Sequence, residues 1–135
     1  MCIRDRQSTE YVQYSKDRVK DAYPVYQLGW FPDYSDADNY LTPFFLTENF
    51  LSNHYDNKTV NDLILQQAST PDPAARQALI EQIQDLVADD LSTVPYLQGA
   101  QVAVTGTDVS GTEDTLDASF KFRYGALSKL SLIHI

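Results

Sequence analysis

The stretch from Asp72 to Asp90 constrains this chain more than any other. Leu79, Ile80, Ile83, Leu86 and Val87 recur at helical spacing and form one apolar stripe. Arg76, Glu81, Gln84 and Asp85 fall largely outside that stripe. Thr70-Pro71-Asp72-Pro73 punctuates the chain just before it. Asp72 can accept a hydrogen bond from the first helical turn. Pro73 suits the first helical position, where an N–H would have no partner anyway. A helix with one apolar stripe must bury it against another element, so this segment calls for a packed neighbour. The nearest candidate opens at Thr59, with Val60, Leu63, Ile64 and Ala68 at i, i+3, i+4 and i+8.

The remaining segments alternate between helical and extended patterns. Ser8 can cap a helix running to about Asp21, with Tyr11, Val12, Val19 and Ala22 as a loose apolar face and Pro24 as its stop. Val25 to Trp30 alternates, with Tyr26, Leu28 and Trp30 on one side, which predicts a strand. A loop rich in Pro, Asp and Ser follows to Asp38. Asp36 or Asp38 then caps a short helix through Tyr40, Leu41 and Phe44, with Pro43 to be accommodated. Residues 47–57 have no clear period, and His54 reads as a surface loop residue. Beyond Asp90 the pattern turns strand-like at 94–97 and 101–105. After a polar stretch at 106–117, Phe120, Phe122 and Tyr124 alternate with Lys121 and Arg123. The expected fold class is α/β.

The two ends need separate treatment. Met1 to Arg6 and Leu130 to Ile135 back-translate to DNA strings that are reverse complements of one another. Together they resemble the mosaic-end adapter of transposon-based sequencing libraries. Residues 1–6 and 130–135 are therefore expected to be translated adapter. Removing Arg4, Asp5 and Arg6 leaves the interior one unit more negative than the -9 of the whole chain. Such acidity argues against nucleic-acid binding, which needs clustered Lys and Arg against phosphate. The lone Cys2 and one of the two histidines, His134, also fall in these ends. No thiolate metal site can then be built, a histidine-rich one is hard to build with His54 alone, and neither a metal nor a cofactor is expected. A 43% hydrophobic composition with 9 Tyr and 6 Phe is that of a globular chain.

The segment Leu28-Gly29-Trp30-Phe31-Pro32-Asp33-Tyr34-Ser35-Asp36-Ala37-Asp38-Asn39-Tyr40-Leu41 resembles a block of the peptide, oligopeptide and nickel solute-binding proteins of ABC importers. That block has a strand ending in Gly-Trp, two variable positions, Asp-Tyr, and an acidic turn into a helix. Many relatives carry Asp-Pro-Asp where this chain has Asp36-Ala37-Asp38. The Arg76 helix, the Val94-Pro95-Tyr96 strand and the Gln101 to Gly111 segment follow in the family's order. The resemblance implies a two-lobed periplasmic-binding-protein-like fold of type II, of which this chain is an incomplete C-terminal portion. Residues 7–93 would belong to the second lobe and carry the ligand loop, and 94–129 would return to the first lobe.

The same resemblance implies an extracytoplasmic protein, periplasmic or a cell-surface lipoprotein, monomeric at full length, that delivers a peptide to ABC permease subunits. The Asp of the Trp-x-x-Asp motif maps onto Asp33 and would accept the ligand's α-ammonium group. Trp30, Phe31 and Tyr34 would supply flat apolar walls. No residue is assigned a catalytic role. Other readings stay open beside the peptide-ligand role. Asp33 could instead form an Asx-turn after the strand. Oligosaccharide and metal-chelate binders share the scaffold, so Asp33 would be a turn residue in those. In another class, Asp33 and Asp36 could form the acid–base pair of a glycoside hydrolase, or the many tyrosines could mark an adhesion module. Arg76 is expected to pair with a neighbouring acid rather than touch ligand. The expectation about the ends is tested by re-amplifying the gene from source DNA: native codons continuing the reading frame through residues 1–6 or 130–135 would overturn it.

Overall fold

A computed structural model describes residues 8–117, 119 and 121–130. Four helices come first: α1 (Tyr11–Arg18), α2 (Asp38–Phe45), α3 (Lys58–Ala68) and α4 (Pro73–Asp90). A two-stranded antiparallel ribbon, β1 (Val109–Ser110) and β2 (Ser128–Lys129), closes the chain, with short 3-10 turns at Glu113–Thr115 and Tyr124–Ala126.

The three inner helices make the core. Leu41 and Phe45 of α2, Val60 and Ile64 of α3, and Ile80, Ile83 and Val87 of α4 are buried as one cluster. Phe44, Leu46, Tyr55, Leu63 and Leu86 pack against it. Helix α4 lies mainly on α3, and α3 on α2. The stripe read from the sequence is therefore the buried face of α4. Its N-terminus is capped as expected: the Asp72 side chain accepts from the Ala75 N–H at 2.8 Å, and Pro73 opens the helix. The helix ends on Leu91 in the left-handed region, φ 51°, with its N–H returning to Val87 O. Asn57 caps α3, accepting from the N–H groups of Thr59 and Val60. Across the α3–α4 interface, Asp90 Oδ2 accepts from Tyr55 Oη at 2.5 Å and Asn57 Nδ2 at 2.9 Å. Those donors hold the Asp90 carboxyl below the usual range and offset its unfavourable place at a helix C-terminus.

Several expectations are corrected. Helix α1 is capped by Glu10, not Ser8, with Oε2 accepting from Val12 and Gln13 N–H. It stops at Arg18 rather than near Asp21, because Asp21 turns left-handed at φ 58°. Its supposed apolar face is exposed. What holds it is Tyr14, stacked on Tyr23 at 5.9 Å, and Arg18, whose guanidinium lies over the Tyr26 ring. Helix α2 is only eight residues long, and Pro43 within it lacks the N–H that would reach Asn39.

None of the strands expected at 25–30, 94–97 and 101–105 forms among the described residues. A strand exists through its ladder, and among the described residues no neighbouring backbone forms a ladder with these segments. In the later two segments the apolar positions face outward, as with Val94, Leu97 and Val104, whereas Tyr26, Leu28 and Trp30 of the first are half-buried on the side the alternation predicts. The strand expected at 120–124 fails differently. Phe120 lies outside the described residues, and Tyr124 opens a 3-10 turn. The ribbon that does form pairs Val109 with Lys129 and Ser110 with Ser128. Gly111, at φ 81°, lets the chain turn beneath it, since a Cβ there would lie 2.2 Å from Ala126 O. The observed unit is thus a small helix-rich one with a two-stranded ribbon, consistent with part of a domain of the expected fold. The segments expected to be adapter, 1–6 and 130–135, lie outside the described residues apart from Leu130.

Ile83, with no exposed surface, is the firmest knob of α4. Ile83→Ala should destabilise the helical unit by about 2–5 kcal/mol, the range for truncating a buried aliphatic side chain. Leu65→Ala, on the exposed side of α3, should change stability by less than about 0.5 kcal/mol. Urea denaturation followed by circular dichroism separates the two.

Candidate functional site

The loop between residues 30 and 38 is pinned from three directions. Asn39, in the first turn of α2 and nearly fully buried, turns its carboxamide back onto the loop. Its Oδ1 accepts from Trp30 Nε1 at 3.3 Å and from the Asp33 N–H at 2.9 Å. One oxygen therefore fixes the indole and the Asp33 backbone relative to each other. Pro32, between them, is buried. The half-buried Trp30 ring meets Phe44 edge-on at 5.2 Å and Phe50 at 6.1 Å. From the far side of the chain, Lys121 Nζ donates to the Asp33 carbonyl.

The acidic turn is held from α3 and α4. Arg76 places Nη1 2.8 Å from Asp36 Oδ2 and Nη2 2.6 Å from Asp36 Oδ1, a two-pronged contact. Its Nε donates to Gln67 Oε1 at 3.0 Å. Gln67, with no exposed surface, hands the interaction on through Nε2 to Asp38 Oδ1 at 2.7 Å. Asp38 also accepts from Thr42 Oγ1 and, through Oδ2, from Tyr34 Oη at 3.0 Å. Asp36 Oδ1 further accepts from the Asp38 N–H at 2.8 Å, so Asp36 forms the Asx-turn that leads into α2. The Arg76 guanidinium, aided by that N–H, pulls the Asp36 carboxyl down to about 2.

Asp33 is exposed, and among the described residues no hydrogen bond or ion pair engages its carboxylate. Its N–H and C=O are both used, so the backbone is anchored while the carboxylate faces water. The Asx-turn considered for Asp33 is made by Asp36 instead. Trp30 is half-buried, with its ring against Phe44 and Phe50. Tyr34 is about half exposed and held by its hydroxyl, and Phe31 is two-thirds exposed. Asp36, committed to Arg76 and ionised far below neutrality, is not the proton donor that an acid–base pair with Asp33 would need. Arg76 pairs with an acid as expected, though the acid comes from forty residues upstream. His54 lies on the surface and meets Asp21 at 2.7 Å.

Sequence reading missed Asn39, Gln67, Phe44 and Phe50. Only one signal was available: a carboxamide at the start of an apolar helix and another on the buried face of α3 are polar groups that must find partners. A separate shallow depression of about 430 Å³, lined among others by Thr47, Asn49, His54 and Asp56, includes none of the predicted ligand residues. No helix among the described residues is long and apolar enough to cross a membrane.

No family model and no solved structure matches the chain. Among curated proteins it is similar to the glutathione-binding protein GsiB of Shigella dysenteriae serotype 1 (strain Sd197). The proteins of the same name from Escherichia coli (strain K12) and Shigella flexneri are equally similar. Identity is 26% over 112 residues, covering 79% of this chain and 22% of each relative. The chain thus spans about a fifth of the length of the curated relatives it matches.

The Asp36–Arg76 pair has a pH signature. A carboxyl depressed on folding stabilises the folded state above its unfolded value of 3.8 and loses that contribution as pH falls to about 2. About a third of each side chain remains exposed, so screening keeps the gap between wild type and Asp36→Asn near 1 kcal/mol at neutral pH. That gap should be constant above about pH 4 and close between there and pH 2. Paired urea titrations across this range check it.

Proposed function

We propose that the chain is part of an extracytoplasmic solute-binding protein of an ABC importer, one that captures peptides and presents them to membrane permease subunits. The full protein would have the two-lobed α/β fold, with the loop at 30–38 forming one wall of the ligand cleft. Similarity to glutathione-binding proteins supports the solute-binding role. Glutathione is itself a tripeptide with a free α-ammonium group, which fits a carboxylate as its recognition partner.

The observation that carries the peptide reading is the contrast between two neighbouring acids. Asp36 is consumed by Arg76, whereas Asp33 keeps a free carboxylate on an anchored backbone. An ammonium about 4 Å from that carboxylate gains about 4 kcal/mol at an effective dielectric of 20, before desolvation is deducted. Fixing the backbone in advance reduces the ordering cost of binding. Trp30, Phe31 and Tyr34 flank Asp33 in the chain and offer ring surface for the ligand's apolar parts. Recognition through the terminus leaves the rest of the ligand loosely specified, as a receptor for varied peptides requires.

The test is calorimetry on the product of the full-length gene, titrated with glutathione and with a mixed peptide library. Saturable binding that needs a free α-amino group should weaken by about ten- to a hundred-fold in Asp33→Ala, the worth of a charge-assisted hydrogen bond. Binding that survives N-acetylation of the peptide, or is unchanged in Asp33→Ala, would remove Asp33 from the ligand site. No peptide binding at all would move the ligand to a sugar or a metal chelate.

A further inference from the structure

Arg76 and Gln67 are far from the loop in sequence, yet both reach its acidic turn, Arg76 at Asp36 and Gln67 at Asp38, and they bond to each other. Arg76 uses three separate N–H groups: two on Asp36 and one on Gln67. Gln67 can be oriented only one way, its oxygen towards the guanidinium and its nitrogen towards Asp38. Asp36 and Asp38 flank Ala37 directly before Asn39, whose oxygen ties Trp30 to the Asp33 N–H. A continuous set of hydrogen bonds therefore runs from α4, through the buried amide of α3, to the turn that sets Asn39. The planar guanidinium fork is essential to this, because an ammonium offers no comparable fixed geometry.

We propose that Arg76 and Gln67 are positioning residues that fix the Trp30–Asp33 loop on the α3–α4 pair, so that the separation between indole and carboxylate is set by helices outside the site. The effect on ligand affinity rests on the reading of Asp33 given above, while the effect on the loop does not. An alternative is that the ion pair only adds stability to the helix packing, leaving the loop where it is.

Trp30 is the chain's one tryptophan, so its fluorescence reports the loop directly. Arg76→Lys, which keeps the charge and loses the fork, should shift Trp30 emission to the red and raise its quenching by acrylamide with helix content retained. Asp36→Asn should do the same. Lys58→Ala, which removes the exposed Lys58–Asp62 pair on α3, should leave Trp30 unchanged. In the full-length protein, Arg76→Lys should weaken peptide binding by about ten-fold, comparable to one displaced charge-assisted hydrogen bond. Unaltered Trp30 emission and quenching in both Arg76→Lys and Asp36→Asn would overturn the proposal. So would loss of helix signal in both, which would make the pair a support of the whole helical unit. If Trp30 responds but Asp33→Ala binds peptide normally, the positioning of the loop stands and the ligand role of Asp33 fails. If Asp33→Ala abolishes binding while Trp30 is indifferent to Arg76, the reverse holds.

Discussion

The two-pronged contact between Arg76 and Asp36 joins the two halves of this molecule's logic. On one side is a helical unit assembled by burial of apolar stripes. On the other is an acidic turn with little apolar surface of its own to hold it in place. Pro32 and the Trp30 ring contribute some burial, but the turn at 36–38 is almost wholly polar and would be solvated without a partner. A guanidinium with several fixed donors suits such a turn, since it can satisfy a carboxylate and an amide at once. Gln67 shows why the arrangement is closed. A fully buried carboxamide is tolerable only when both ends are bonded, and here one end meets Arg76 and the other Asp38.

The same economy separates neighbouring carboxylates into different tasks. Asp36 terminates the Arg76 fork and forms the turn, and Asp38 collects donors from Gln67, Thr42 and Tyr34. Asp33 contributes its backbone to the anchoring and keeps its carboxylate outward. Three acids within six residues would repel one another if all were left unpaired. Pairing two of them leaves the third as a localised negative charge on a held backbone, which is the electrostatic form a cationic group would meet.

The remainder of the chain obeys a different constraint. The segments at 25–30, 94–97 and 101–105 have the alternation of half-buried strands, yet they remain outside any ladder among the described residues. Alternation states which side chains want to be buried; it cannot supply the neighbouring backbone that makes a sheet. The short ribbon at 109–110 and 128–129 forms because Gly111 permits a close turn and the two strands face one another in register.

The sequence by itself determined what depends on neighbours within a few residues. The Asp72 cap, Pro73 at the first turn and the α3 and α4 stripes were legible because periodicity and capping are local, although on α3 Ala68 is exposed and Gln67 takes the buried place. Where local signals competed, as between Ser8 and Glu10 for the α1 cap, the choice depended on a side-chain reach that composition does not encode. Only the tertiary structure decided which acid Arg76 would take, which carboxylate would be left free, and that Asn39 would hold Trp30 and Asp33 on one oxygen. Those outcomes depend on bringing segments forty residues apart within hydrogen-bond distance. Hydrogen bonds and ion pairs fall off over a few ångströms, so their partners are set by where the helices pack, and not by the order of residues along the chain.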